Sequence, residues 1–205
     1  CCCSYTGNQS GTLAGSPAAN APFMAMQLPI FLCPSDSGTP YLDTGSCYGV
    51  PSAPGGAKTN YDFIAQRNDF YCNNWSVQNS STRYMFGENS SSRVRDVTDG
   101  TTNTLMVGET TLNVWNGRTS AWGYRGWVMT GIDPQSIGIN TWYVNGSGQQ
   151  QFGTLASWGY PGSLHVGGAH FVLGDGSVRF LSQNINLNLL YKISMMGDGS
   201  VASPN

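Results

Sequence analysis

The chain has 205 residues, 10% of them charged, with nine Lys and Arg against eleven Asp and Glu and a formal net charge of -2. So few cations argue against nucleic acid as a partner, because neutralising phosphates takes clustered Lys and Arg, and no run of about 20 apolar residues is present to span a bilayer as a helix. Average soluble domains are about 25% charged; low charge combined with 27 Gly and 12% aromatic residues reads as a β-rich chain of extracellular character, long enough to bury a core of its own.

Residues 1–29 are rich in Gly, Ser, Ala, Asn and Pro, with one short apolar patch at Phe23 to Leu28. Such a segment cannot bury enough to fold alone. It reads as an extended arm, loose or ordered by lying on a surface such as that of a neighbouring subunit, ahead of a single head domain over 30–205. Leu28 to Leu32 is a short strand candidate ending at Cys33-Pro34, where proline stops a ladder. Gly and Pro density makes 35–58 a loop, and Asn60 to Ala65 reads as a strand. Six cysteines stand at 1, 2, 3, 33, 47 and 72. Their spread in a chain of exported character favours disulfides, with Cys33 and Cys47 as the local pair and buried thiols as the alternative.

Asn-x-Ser/Thr sequons occur at Asn8, Asn74, Asn79, Asn89 and Asn145. They read as surface glycan sites or as plain polar loops. Thr98 to Thr101 forms a turn and helix cap around Asp99-Gly100. Asp96, Asp99 and Glu109 are candidate oxygen ligands for Ca²⁺, with turn and capping roles for the two aspartates as the alternative, since Ca²⁺ takes six to eight such atoms. Five of the six Trp, at 115, 122, 127, 142 and 158, fall in the segment 114–158. They read as core or subunit interface, with sugar-stacking platforms as the second reading.

Gly168 to Ser182, GAHFVLGDGSVRFLS, is a β-hairpin turning at Asp175-Gly176. A two-residue turn places Ala169, Phe171 and Leu173 on one buried face with Val178 and Phe180, and leaves His170, Val172, Arg179 and Leu181 on a mixed face. Leu187 to Met195 spaces Leu187, Leu190 and Tyr191 as a helix does, with a strand as the alternative.

Three blocks carry a resemblance: FLCPSDSG at Phe31 to Gly38, RVRDVTDGTTNTLMVGET at Arg93 to Thr110, and HVGGAHFVLGDGSVRFLSQNIN with nine residues between His165 and Asp175-Gly176. With a TNY at Thr59 to Tyr61, they resemble in kind and order a large bacterial family of pilin-like proteins of unknown function, abundant in planctomycetes. The resemblance implies a strand over Thr104 to Glu109, with Leu105 and Val107 on one face and Met106 and Gly108 on the other. It also implies export by a type II secretion or type IV pilus-like route, a globular head that follows an N-terminal prepilin helix, and no established enzyme activity. That helix is not in this sequence, whose start at Cys1 reads as a processed or incomplete chain.

The expected architecture is therefore α+β and β-dominated, a pilin-like head with an antiparallel sheet and a C-terminal hairpin. The only histidines are His165 and His170, no Gly-x-Ser-x-Gly elbow or phosphate-binding loop is present, and no pair of carboxylates is singled out as a glycosidase would require. His165 is expected to hydrogen-bond a turn or the Asp175 region. The reading that follows is a non-enzymatic, self-assembling subunit of an extracellular filament, without a required cofactor or a membrane span, joined through its N-terminal arm and carrying covalent glycans. The alternative is a secreted carbohydrate-binding module using the Trp-rich segment.

Overall fold

The computed structural model describes residues 22–43, 55–67, 75–87, 90–123, 131–135, 137–200 and 202. They form a β-dominated α+β fold with two sheets. The first is antiparallel in the order β1-β2-β6-β7, from Tyr61–Phe63 (β1), Leu105–Glu109 (β2), Gly168–Leu173 (β6) and Val178–Ser182 (β7). The second is mixed. Its central strand Gln150–Ser157 (β5) runs parallel to Asn113–Asn116 (β3) and antiparallel to Trp142–Val144 (β4).

The helix Leu187–Ser194 follows β7. Asn186 caps it by accepting the N–H groups of Asn188 and Leu189, two donors the first turn would otherwise leave unsatisfied. Leu190 and Ile193 point into the core and Leu187 stays exposed, so the helical spacing is realised with a different residue at the seam.

The core lies on the inner face of the first sheet. Leu105, Ala169, Phe171, Leu173 and Leu181 meet Leu190 and Ile193 of the helix, together with Ile64, Tyr84 and Ile132. The Tyr84 hydroxyl donates to Asp133 Oδ1 at 2.9 Å inside this region. Burial raises the pKa of both groups, most strongly by withholding water from their charged forms. Gly108 is glycine for lack of room, because a Cβ there would stand 2.8 Å from the Phe171 ring and 3.0 Å from Ile64.

The hairpin forms, with a connection one residue longer than expected. Val172 pairs with Val178 and Phe171 with Arg179, and Leu173 N–H donates to Ser177 O, so Gly174, Asp175 and Gly176 make the loop. Gly176 takes φ +85°, the left-handed conformation that such three-residue loops place on glycine. Lengthening the loop by one slips β7 by one residue, and a slip of one exchanges its faces. Leu181 is therefore core, whereas Phe180, expected beside Phe171, is 46% exposed on the outer face next to His170.

Strand β2 shifts register between Leu105 and Val107. This bulge puts Leu105 and Gly108 on the inner face, opposite Leu173 and Phe171, and Val107 and Glu109 on the outer one, so the simple alternation expected of 105–108 does not hold.

One expectation for the first part of the chain is corrected. Pro29–Phe31 is a 3-10 turn and not a strand, its N-terminal proline suiting a helical start. The apolar patch Phe23 to Leu28 is anchored to its own chain: Met24 is buried, its carbonyl accepts Ala57 N–H, and Trp122 Nε1 donates to the Met26 carbonyl. Phe23 and Met26 remain exposed; residues 1–21 of the expected arm lie outside the described residues.

Candidate functional site

The sequence blocks that stand far apart along the chain meet at one end of the first sheet. Asp36 ties the first of them down. Its Oδ1 accepts Gly38 N–H at 2.9 Å, while its Oδ2 accepts both Asn60 Nδ2 and Leu112 N–H at 2.8 Å. Asn60 in turn accepts Cys33 N–H at 2.9 Å and donates to Thr110 O at 3.0 Å. Three segments, 33–38, 59–61 and 109–112, are thus locked by a small network of buried or half-buried polar groups whose bonding needs are met by one another.

A second network places His165. Gly162 N–H donates to Glu109 O and Thr110 Oγ1 donates to Tyr160 O, laying the 160–165 loop over the end of β2. Asn140 Oδ1 accepts Ser163 N–H, and Ser163 Oγ donates to Gly168 O and accepts His165 N–H. Asn140 itself adopts φ +61°, a conformation asparagine tolerates better than most residues.

These networks bring Cys33, Glu109, His165 and His170 together. Cys33 Sγ lies 3.8 Å from His165 Nε2, and His165 Nε2 lies 3.6 Å from Glu109 Oε1. Glu109 Oε2 is held from the neighbouring strand. It accepts His170 N–H at 2.6 Å, with His170 Nδ1 3.4 Å away. The two imidazoles meet edge to face, 5.1 Å between centroids. Cys33 and Glu109 are buried, and His165 and His170 are partly open to solvent. Tyr61, opposite Glu109 in the β1–β2 ladder, has a hydroxyl whose pKa is raised by burial and then by the Cys33 and Glu109 charges and the Cys33 hydrogen bond. Nearby, burial brings Lys58, whose Nζ donates to Leu112 O at 2.7 Å, down to about 8.

A buried carboxylate is costly without partners, and among the described residues the ion-pair partners of Glu109 are the two histidines. A thiol, an imidazole and a carboxylate oxygen converging in this way offer metal-ligand chemistry or proton exchange between neighbours.

The expected site residues separate. His165 pairs with Glu109 and not with the Asp175 region, because Asp175 is at the far end of β6, where its Oδ1 accepts Ser177 N–H and the Ser177 hydroxyl. Cys33, expected in a disulfide with Cys47, is a free buried thiol; Cys47 lies outside the described residues. Of the three calcium candidates, Glu109 belongs to the histidine cluster. Asp96 accepts Arg93 N–H in a 3-10 cap, and Asp99 accepts Asp198 N–H and Gly199 N–H. Among the sequons, Asn79 is exposed and caps a 3-10 turn, and Asn145 uses its Oδ1 to accept Ser147 N–H and Gln149 N–H. Asn8, Asn74 and Asn89 lie outside the described residues.

Sequence reasoning missed Cys33, Asn60 and Asp36 as site residues. The available signal was that the chain's two histidines, a Glu and a Cys all fall within the blocks that carry the family resemblance.

The Trp-rich segment divides. Trp158 is buried beneath the Arg67 guanidinium, which lies 4.0 Å from its ring. Trp115 is 62% exposed and stacks on Tyr143 at 4.1 Å, the rings 10° from parallel. Trp142 meets the edge of Phe152, which is 76% exposed. Trp127 is outside the described residues.

A family model described as "Protein of unknown function (DUF1559)" matches residues 3–188, and the chain belongs to that family. No curated protein and no solved structure matches it. Among the described residues no helix is long and apolar enough to cross a membrane.

Proposed function

We propose that the chain is a non-enzymatic structural subunit, the pilin-like head of an extracellular filament or pseudopilus, assembling with copies of itself. The observation that carries this reading is the pair of unlike apolar surfaces the fold leaves open. One is the outer face of the first sheet. There Val178 and Phe180 are exposed on the edge strand β7, and Phe31, Phe63, Val107 and Trp122 line a groove of about 330 Å³. The other is on the second sheet, where Trp115, Val144 and Phe152 are exposed.

Two different patches that fit each other make a head-to-tail contact, and such a contact grows an open polymer unless its rotation closes into a ring. A 10% charged composition offers little repulsion against that growth. Export to the cell surface accompanies this proposal, as do glycans on sequons such as the exposed Asn79, which add solubility without charge.

The test is electron microscopy of purified chains combined with complementary substitutions. Wild type should form filaments, whereas Val178→Glu and Phe152→Glu should each remain monomeric with unchanged circular dichroism. Mixing the two variants restores one good interface per pair, so short capped oligomers without filaments are expected. Wild type that stays monomeric at all concentrations overturns the reading. The second reading, a secreted carbohydrate-binding module, draws on the nearly parallel Trp115–Tyr143 pair as a stacking surface; a monomer whose tryptophan fluorescence responds to polysaccharide, and loses the response in Trp115→Ala, would favour it.

A further inference from the structure

The end of the first sheet holds a ligand set that the structural role does not use. Cys33, Glu109 and His165 each offer one ligand atom, and all three atoms lie within 4.8 Å of one another. We propose that these three residues bind a divalent ion of the zinc class, with a fourth position left to water on the His165 side.

Geometry is the first argument. Ligands about 2.0–2.3 Å from a tetrahedral zinc stand about 3.3–3.7 Å from each other. The observed separations are 3.8 Å for Cys33 Sγ to His165 Nε2 and 3.6 Å for His165 Nε2 to Glu109 Oε1. An ion would draw each of these two pairs together by a few tenths of an ångström, and the third pair, Cys33 with Glu109, stands within 4.8 Å.

Donor chemistry is the second. A thiolate, an imidazole and one carboxylate oxygen suit a borderline ion such as Zn²⁺, whereas Ca²⁺ and Mg²⁺ prefer oxygen alone. Glu109, considered above as a calcium ligand, is thus redirected to a softer metal.

Pre-arrangement is the third. Each ligand is oriented by a group that is not itself one of the three ligands. His170 N–H occupies Glu109 Oε2 at 2.6 Å, which leaves Oε1 turned towards His165. The Asn60–Asp36 network holds the Cys33 backbone, and Ser163 holds the His165 backbone. Supporting contacts of this kind are what fix ligand geometry in known metal sites. The ligands come from three segments distant in sequence, so a bound ion would cross-link the 33–38 loop, the end of β2 and the loop before β6.

The experiment uses the intact chain, reduced, with Co²⁺ and Zn²⁺ as the probes. Co²⁺ in this site should give the thiolate-to-metal charge-transfer band and the intense visible absorption of a four-coordinate ion. Because five other cysteines are present, the discriminating variants include two that touch no thiol. Cys33→Ser, His165→Asn and Glu109→Gln should all lose the same band. Each should weaken Zn²⁺ binding, measured against a chelating dye, by more than the roughly 10–100-fold that loss of a supporting residue costs.

Zn²⁺ should also raise the melting temperature of wild type and leave that of His165→Asn, a substitution at a half-exposed position, unchanged. A wild-type chain without the band overturns the proposal. So does a band of equal intensity in wild type and a folded His165→Asn.

Discussion

The two faces of the β6–β7 hairpin carry similar residue types and have opposite fates. On the inner face Ala169, Phe171, Leu173 and Leu181 are essentially without solvent and pack under the helix. On the outer face His170, Val172, Val178 and Phe180 are half-buried or exposed, and His170 faces Glu109. Hydrophobicity did not sort these sets, since Phe180 is as apolar as Phe171. The register did, and it was fixed by a three-residue loop.

The sharpest way to break this comparison is to truncate the two phenylalanines. Phe171→Ala should cost about 3–5 kcal/mol, the transfer free energy of the ring plus the cavity it leaves in a packed core. Phe180→Ala should cost about 1 kcal/mol, because much of its surface already faces water. Urea unfolding of both variants measures the difference, and equal losses would mean the faces are not as distinct as described.

A smaller effect is expected from adding a single methyl to the inner face. Gly108→Ala brings a carbon to 2.8 Å from the Phe171 ring and 3.0 Å from Ile64, and the overpacking should destabilise by about 1–3 kcal/mol. Pairing it with Phe171→Leu, which removes the obstructing edge, should make the two losses less than additive in a double-mutant cycle.

An effect of pH is expected at Lys58, beside Leu112 and Asp36. Lys58 titrates at about 8 in the folded chain against 10.5 for the free group, chiefly from burial. Between these values the unfolded chain binds the extra proton, so this residue's contribution to stability should rise with pH across the window and be flat below it. Unfolding free energies of wild type and Lys58→Met at pH 8 and pH 10 test the sign, with wild type gaining relative to the variant.

The sequence was most informative where the signal is local. Alternating apolar residues on either side of Asp175-Gly176 located the hairpin, and the spacing of Leu187, Leu190 and Tyr191 located the helix, although Leu190 and Ile193 are the residues that bury. Strand register was not legible, because a loop of two and a loop of three residues satisfy the same Gly-Asp-Gly sequence and differ only once β7 is laid against its neighbours. The cluster was less legible still. Cys33 and His165 are separated by more than a hundred residues, and the contact between them depends on Asp36, Asn60 and Ser163, polar side chains that read as ordinary loop composition. Leu28 to Leu32 failed for a simpler reason. Apolar runs of that length do not distinguish a strand from a tight turn pressed onto a surface.

The irregularity in β2 has a consequence for how this chain tolerates change in length. A strand is a two-state counter: odd residues go to one side and even residues to the other, and Leu105 and Glu109 have the same parity. Were all five residues in regular alternation the two would share a face, and a carboxylate would enter the apolar interior while its histidine neighbours were left across the sheet. The bulge resets the count midway. It lets five consecutive residues serve the interior at one end and a polar cluster at the other. Deleting Met106, the residue without a partner in the register, would therefore leave Leu105 inside and Glu109 outside in a regular strand, whereas deleting a residue between it and Glu109 would carry the carboxylate to the inner face.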